Sequence, residues 1–318
     1  MLAQVGSFVL GTVLLMLGAD SLARGVGGLA LRTGLGGYAV GLASTALGAL
    51  VPALAVTLAA GYAHRPELAL GNLVGSSIAQ LGLVLGIAAI AAPLRARLKL
   101  FSRVNPALIV AAVLFWVLSL DARFNAIDGA ILVVAWIAVA LVVIRTAKDE
   151  TDAVRNEIAA ATGTAMLVWR DSVRVVIGVV ILPFAAVWLV DSSLAFADAC
   201  HVSPMVIGLT VLGAATAFAS VPPTLIAAKR QQGDFAIGHA FGAVIGSLLL
   251  LGGGLALAMT TPAPHSLQHI EIPWLIALGV AIYPMMRSDG ELSRREGAIL
   301  LLAYALFLVG ETWMAHGT

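Results

Sequence analysis

Charged residues are scarce in this chain of 318 residues. Asp, Glu, Lys and Arg make up 11% of it and 60% is hydrophobic, whereas a soluble domain carries about 25% charged residues. The mean hydropathy of +1.01 predicts a protein that crosses a membrane several times, with the lipid bilayer as its first partner. No basic face interleaved with aromatic residues is present, so we expect no nucleic-acid partner.

Cysteine is almost absent. The single Cys200 excludes an internal disulfide and a cysteine-based zinc site. The sequence also offers no nucleophile–base pair and no cluster of metal ligands. We therefore expect a protein that is not an enzyme and that carries neither a metal nor another cofactor.

Ten apolar segments approach the length of a membrane-spanning helix, which needs about 20 residues. The longest polar segment, 146–172, separates the fifth from the sixth. We therefore predict a first five-helix repeat over 1–145, a cytoplasmic linker over 146–172 and a second five-helix repeat over 173–318. The ten segments are 5–23, 36–61, 68–92, 104–120, 126–145, 173–190, 203–228, 235–259, 272–287 and 296–314.

Lys and Arg are distributed unevenly between the loops. If the first loop lies inside the cell, the inside loops hold sixteen of these residues and the outside loops hold two, Arg65 and Arg123. Short loops rich in Lys and Arg stay on the cytoplasmic side of a membrane. We expect a multi-pass protein of the cell membrane, specifically a bacterial inner membrane, with both termini outside.

Two stretches of the sequence repeat each other at an offset of 167 residues. Residues 40–90 align with residues 207–257 without a gap, and glycines coincide, as Gly71 does with Gly238. Because each half contains an odd number of spans, the second half enters the membrane in the opposite orientation. The predicted fold class is an all-α membrane protein with ten transmembrane helices in two inverted five-helix repeats, which meet at a central site.

Two motifs in each repeat resemble those of the cation/calcium exchanger superfamily, in particular its bacterial sodium/calcium exchanger-like branch. The family pattern is a helix G-L-T-x-x-A-x-G-T-S-x-P-E-L, followed by a helix G-N-x-x-G-S-N-I-x-N, or D in the last place. The first repeat reads GLASTALGALVPAL and then GNLVGSSIAQ, and the second reads GLTVLGAATAFASV and then GHAFGAVIGS. The resemblance implies a secondary transporter that works by alternating access.

The residues that the resemblance places in the cation site are replaced in this chain. The two glutamate positions hold Ala53 and Ser220, and the two final Asn or Asp positions hold Gln80 and Ser247. Calcium takes about six to eight oxygen ligands, normally including carboxylates. Removing its water in mid-membrane without a countercharge is very costly. We therefore expect a carboxylate-free central site and a substrate other than calcium.

Neutral polar side chains remain at the predicted centre. Such groups suit a small neutral or zwitterionic solute, or a weakly held monovalent ion; the alternative is that they only mediate helix packing. Gln80 is the strongest candidate because an amide deep in a helix needs a hydrogen-bond partner. Ser220 and Ser247 lie opposite it by pseudo-symmetry. The candidate substrate-binding residues are Gln80, Ser220, Ser247, Thr216 and Ser76.

Three titratable residues are candidates for proton coupling. His239 occupies the place of the first Asn of the family pattern, where a histidine would make transport pH-dependent. The alternative is a surface-proximal histidine near a helix start. Glu311 and Asp20 are carboxylates within or near spans, which are functional candidates by default. Both lie outside the repeated stretch, and Asp20 has Arg24 one helical turn away as an ion-pair partner.

Two functions remain open at this point. In the first, the chain is a secondary transporter with an altered central site. In the second, it is a degenerate, non-transporting exchanger homologue that serves as a structural or regulatory subunit of a membrane complex, and another membrane protein is its partner. The first requires a solute-sized space bordered by Gln80, Ser220 and Ser247. The second fills that space with side chains or exposes an apolar face to the partner.

Overall fold

The computed structural model describes residues 2–32, 37–95, 98–147 and 168–317. Most of the predicted linker, 146–172, lies outside these ranges, so the linker and the two repeat boundaries stay predictions. The first half of the chain contains α1 (Leu2–Arg32), α2 (Gly37–Tyr62), α3 (Pro66–Ala91), α4 (Leu98–Ser119) and α5 (Ala126–Ala147). The second half contains α6 (Val168–Cys200), α7 (Pro204–Phe218), α8 (Val221–Lys229), α9 (Gly233–Ala258), α10 (Ile272–Asp289) and α11 (Arg294–Gly317).

Several of these helices are long and apolar enough to cross a membrane. Within the described ranges there are six, or seven if α7 and α8 together form one bent span. The shorter apolar helices are Gly48–Tyr62, Val104–Ser119 and Ala126–Val142. The chain is therefore a multi-pass membrane protein, whereas the ten spans expected from the sequence stay a prediction.

The segment 203–228, which contains two adjacent prolines, is broken into two helices. The axes of α7 and α8 differ by 49°, and the break falls at Ala219 and Ser220. Pro222 and Pro223 follow directly. Proline has no N–H to donate to the carbonyl four residues earlier, and its ring clashes with that carbonyl. The sequence identified the prolines, and the bend is their physical consequence.

The offset of 167 residues is also visible in the secondary structure. A π-helical turn interrupts α3 at Gln80–Val84, and another interrupts α9 at Ser247–Leu251, 167 positions later. The starts of α3 and α9 are separated by the same interval. So are His64 and Gln231, which both adopt positive φ angles, 55° and 59°, in the turns that precede those helices. The two halves thus repeat each other residue by residue around these central helices.

Two pairs of short antiparallel strands join the halves. Strand β1 (Leu94–Arg95) pairs with β4 (Glu291–Leu292), and β2 (Arg123–Phe124) pairs with β3 (Thr261–Pro262). The pair β1–β4 is reinforced by an ion pair in which Arg95 Nε lies 2.7 Å from Glu291 Oε2. Each strand of the first half pairs with a strand of the second half. The two halves are therefore hydrogen-bonded to each other at both ends of the helical bundle.

The central position belongs to α3 and α9. Their apolar stretches are 83% and 78% buried, whereas those of α1 and α11 are 22% and 28% buried. Close approach of α3 to α7 depends on glycine: a Cβ atom on Gly75 would overlap the backbone carbonyl of Leu209. Small residues of this kind let membrane helices approach closely, and here they bring the polar groups of α3 beside those of α7.

A candidate solute site between the two halves

One face of α3 carries a row of polar side chains. Asn72, Ser76 and Gln80 are spaced four residues apart, so they lie on the same side of the helix. All three are at least 96% buried. Gln80 begins the π-helical turn, a distortion that is frequent at functional sites. The row spans about 12 Å along the helix at 1.5 Å per residue.

The facing element is the bend between α7 and α8. Thr216 lies near the end of α7 and Ser220 lies in the break, and both are buried. Because Pro222 and Pro223 have no N–H, the carbonyls of Phe218 and Ala219 lose their usual helical donors. The bend therefore presents hydroxyl groups and backbone carbonyls in the interior of the protein.

Two hydrogen bonds connect the row on α3 to the bend. The Gln80 side-chain amide donates from Nε2 to Ser220 Oγ at 2.9 Å. Thr216 Oγ1 donates to Asn72 Oδ1 at 2.8 Å. Their partners are 140 and 144 residues apart in sequence, so each bond joins one half of the chain to the other. The structure thus brings together Gln80, Ser220 and Thr216 of the predicted site.

The two amides retain unused hydrogen-bonding capacity. Among the described residues, neither Gln80 Oε1 nor Asn72 Nδ2 has a partner, although both atoms are buried. A buried polar atom without a partner costs about 1–3 kcal/mol. One free acceptor and one free donor on the same helix face are the groups with which a small polar ligand would form hydrogen bonds.

The serines of α3 have a more local role. Ser77 Oγ donates to the carbonyl of Leu73 at 2.7 Å, and Ser76 Oγ donates to the same carbonyl at 3.3 Å. Ser76 nevertheless belongs to the polar row between Asn72 and Gln80. Its hydroxyl can turn from a long bond within its own helix to a ligand, because a hydroxyl rotates to suit its partner.

The second central helix, α9, supplies Ser247 and His239. Ser247 begins its π-helical turn, at the position equivalent to Gln80, and is 3% exposed. His239 is 2% exposed, and its ring stacks on Phe235 with centroids 5.9 Å apart. Gly48 of α2 lies next to the His239 ring. His239 is thus a core residue of α9 at the position equivalent to Asn72, rather than a residue at the protein surface.

The two remaining proton-coupling candidates are placed differently. Asp20 accepts a hydrogen bond from Arg24 Nε at 2.8 Å, and its side chain is 44% exposed. Glu311, near the end of α11, is 3% exposed. The structure therefore gives Asp20 a solvated ion pair on α1 and leaves Glu311 buried on a peripheral helix.

Asn72 belongs to this site although it was not among the residues predicted to bind a solute. Its signal was present, because it is the Asn of the G-N-x-x-G motif and lies eight residues before Gln80. Only the hydrogen bond with Thr216 shows that its side chain faces the other half.

A motif helix of one half, α3, thus packs against the bent motif helix of the other, α7 with α8, at a buried polar contact. The fold matches the class of exchanger-type membrane transporters. The chain belongs to the sodium/calcium exchanger protein family, which matches residues 3–145 and 172–313. The resemblance inferred from the motifs is thereby confirmed.

Individual relatives match almost the whole chain. The sodium/calcium exchanger MaX1 of Methanosarcina acetivorans is 24% identical over 336 residues, covering 95% of this chain and 96% of its own. The putative antiporter CaxA of Alkalimonas amylolytica is 26% identical over 307 residues, covering 93% and 95%. The solved structure of the sodium–calcium exchanger NCX_Mj superimposes with a TM-score of 0.67 at 26% identity, covering 96% of this chain and 98% of its own.

Proposed function

We propose that this chain is an exchanger-type secondary transporter with a carboxylate-free central site, which carries a small neutral or zwitterionic solute or a weakly held monovalent ion. The observation that carries the proposal is the buried hydrogen bond between Gln80 and Ser220. It joins the two halves at positions where the family pattern has an Asn or Asp and a glutamate. Alternating access requires a site that both halves contact, and this contact meets that requirement.

Calcium fits this site poorly. The groups that meet there are an amide, hydroxyls and backbone carbonyls, and Ala53 stands at the other glutamate position. An isolated divalent charge in the membrane interior is strongly unfavourable without anionic ligands. A neutral solute or a monovalent ion needs less compensation, and the free Gln80 Oε1 and Asn72 Nδ2 offer one acceptor and one donor to it.

The proposal includes the membrane topology. We propose ten spans in two inverted five-helix repeats, with both termini outside a bacterial inner membrane. The repeat of helix starts, π-helical turns and positive-φ residues at an offset of 167, together with the distribution of Lys and Arg, supports this arrangement. Ser247 completes the central site from α9, and His239 on the same helix couples transport to protons.

The experiment is flux in vesicles reconstituted with the purified protein, with sodium, potassium, proton and calcium gradients tested in turn. We expect flux without a calcium requirement, and in Gln80→Ala a half-saturating solute concentration raised about tenfold, as for the loss of one hydrogen bond of about 1.4 kcal/mol. The matched control is Ser77→Ala, because Ser77 lies on the same buried helix but bonds within it. Protein-dependent calcium flux would contradict the carboxylate-free mechanism, and equal flux in Gln80→Ala would contradict the site.

A second candidate function has one observation in its favour. Gln80 with Ser220, and Thr216 with Asn72, bond directly to one another, as they would in a structural subunit whose halves stay together. In that case well-folded protein shows no flux under any gradient, and a membrane-protein partner co-purifies with it. Flux that depends on Gln80 excludes this alternative.

A further inference from the structure

Two carboxyl groups are buried together away from the central site. Glu271 is 1% exposed, in the π-helical turn Leu267–Glu271 that leads into α10. Glu311, near the end of α11, is 3% exposed. The ring of Trp274, three residues after Glu271, lies 6.4 Å from that of Phe307, four residues before Glu311, so the two carboxyl groups lie on adjoining turns of neighbouring helices. Two ionised carboxylates at this depth would repel each other while also having lost their hydration.

Within the described ranges, neither carboxyl group is paired with a cation. In the part of the chain that the structure describes, no ion pair involves Glu271 or Glu311, and Glu271 Oε2 and Glu311 Oε1 have no hydrogen-bond partner. The Ser266 hydroxyl is the side-chain partner that Glu271 does have. A buried carboxyl group without a countercharge is stable when it is protonated or bound to a cation.

The groups around the pair include donors as well as acceptors. Trp274 follows Glu271 by about one helical turn, and its ring lies 6.4 Å from that of Phe307, one turn before Glu311. The indole Nε1 and the hydroxyl of the 96% buried Tyr304 on α11 are buried without partners among the described residues. An indole N–H can only donate a hydrogen bond, so it suits a carboxyl oxygen or a water molecule better than a metal ion.

Basic residues on the neighbouring helices lie at the opposite end. Gln268 bonds to the carbonyl of Ser119, which places the start of α10 at the end of α4. Lys99 and Arg103 lie at the start of α4, Arg287 near the end of α10, and Arg294 and Arg295 at the start of α11. The titratable and charged residues at the Glu271 end include Arg65 and Glu67 at the start of α3, Asp121 and Arg123 after α4, and the exposed His265 and His269, whose rings stack at 3.8 Å.

We propose that Glu271 and Glu311 form a proton-binding carboxyl pair, separate from the solute site and situated on the side of the membrane predicted to be outside. A proton bound by the pair removes one of its two buried negative charges and turns one of the bare oxygen atoms into a hydrogen-bond donor. Release of this proton to the outside leaves two buried negative charges, so it favours a rearrangement of α10 and α11 that admits water.

The proton site is connected to the centre by direct packing. A Cβ atom on Gly82 would lie 2.7 Å from Cβ of Tyr304, so α11 is in contact with the π-helical turn of α3 that begins with Gln80. Movement of α11 therefore reaches the hydrogen bond between Gln80 and Ser220. This coupling rests on the proposed transport function, whereas the proton site itself does not.

The first test is infrared difference spectroscopy of the purified protein during a pH titration, with Glu271→Gln, Glu311→Gln and the double variant. We expect a protonated-carboxyl C=O band in the wild type that is lost in the double variant. The control is Asp171→Asn, because Asp171 is also 1% exposed but has Arg174 within 3.8 Å; this variant keeps the band. Size-exclusion profiles identify variants that have not folded.

Two outcomes would overturn the proton site: a band that is the same in the wild type and the folded double variant, or a band removed by sodium at constant pH, which would make the pair a cation site. The second test is the dependence of flux on outside pH, which we expect Glu311→Gln to reduce, leaving the part that depends on His239. If Glu311→Gln shows the same pH dependence of flux as the wild type, the coupling between the carboxyl pair and transport is wrong, but the proton site is not. Absence of flux in the wild type refutes the transport function and, with it, the coupling, while the infrared result stands by itself.

Discussion

The hydrogen bond between Gln80 and Ser220 can be measured by a double-mutant cycle. The variants are Gln80→Ala, Ser220→Ala and the double substitution. A typical hydrogen bond contributes about 0.5–1.5 kcal/mol net to stability, and cycles between membrane helices average about 0.6 kcal/mol with a maximum near 1.7. The 2.9 Å distance and the burial of both residues place this bond in the upper part of that range, at about 1 kcal/mol.

Each single variant should destabilise the protein by more than this coupling energy. Gln80→Ala also removes buried side-chain atoms, which adds a cavity term, and it leaves the Ser220 hydroxyl without its amide partner. Ser220→Ala is the milder change, because the equivalent position of the first half already holds Ala53. The assay is reversible unfolding in detergent, with the free energy of unfolding compared across the four proteins.

The same variants separate stability from transport. If the solute bonds to Gln80, losing one bond of about 1.4 kcal/mol lowers its affinity about tenfold, so the half-saturating concentration for flux rises by that factor in Gln80→Ala. Single-variant effects that add to the double-variant value within about 0.3 kcal/mol would refute the hydrogen bond. Unchanged half-saturation in a folded Gln80→Ala protein would refute the solute site.

Three further predictions concern packing, topology and pH. Gly75→Ala should destabilise the protein by about 1–3 kcal/mol, because the new methyl group overlaps the Leu209 carbonyl. The control is Gly254→Ala, at an exposed helical position, which should be neutral or stabilising. Equal effects of the two substitutions on the free energy of unfolding would contradict the close approach of α3 and α7. An impermeant maleimide should label the exposed Cys200 from outside the cell and leave Cys200→Ser unlabelled; labelling only after the membrane is opened would reverse the topology. His239→Asn, which restores the family residue, should flatten the pH dependence of flux without abolishing flux, and an unaltered pH profile would remove His239 from the coupling.

Much of the fold was accessible from the sequence because it depends on local properties. Hydropathy identified the helical segments, and glycines at a constant offset identified the repeat. The same offset separates the two π-helical turns of the structure. Pro222 and Pro223 marked the segment 203–228 as one that breaks readily, and the structure bends there by 49°. A pair of prolines fixes where a helix is disturbed, but the angle depends on what packs around it.

The candidate site was predictable only in part. The motif positions led to Gln80 and Ser220, which the structure joins by a hydrogen bond. They did not reveal that Asn72 bonds to Thr216, because a motif does not show which side of a helix faces its partner. Nothing in the local sequence of Glu271 indicated a second carboxyl group nearby.

The sequence by itself indicated a membrane protein whose halves repeat, and it holds Ala53 and Ser220 at the motif positions that the resemblance assigns to glutamate. These properties depend only on residue types and on the spacing between residues. Only the tertiary structure decided which polar groups meet: Gln80 with Ser220, Thr216 with Asn72, and Glu271 near Glu311. Residues 140 or more positions apart come together through the packing of whole helices, and no pattern within one helix specifies that arrangement.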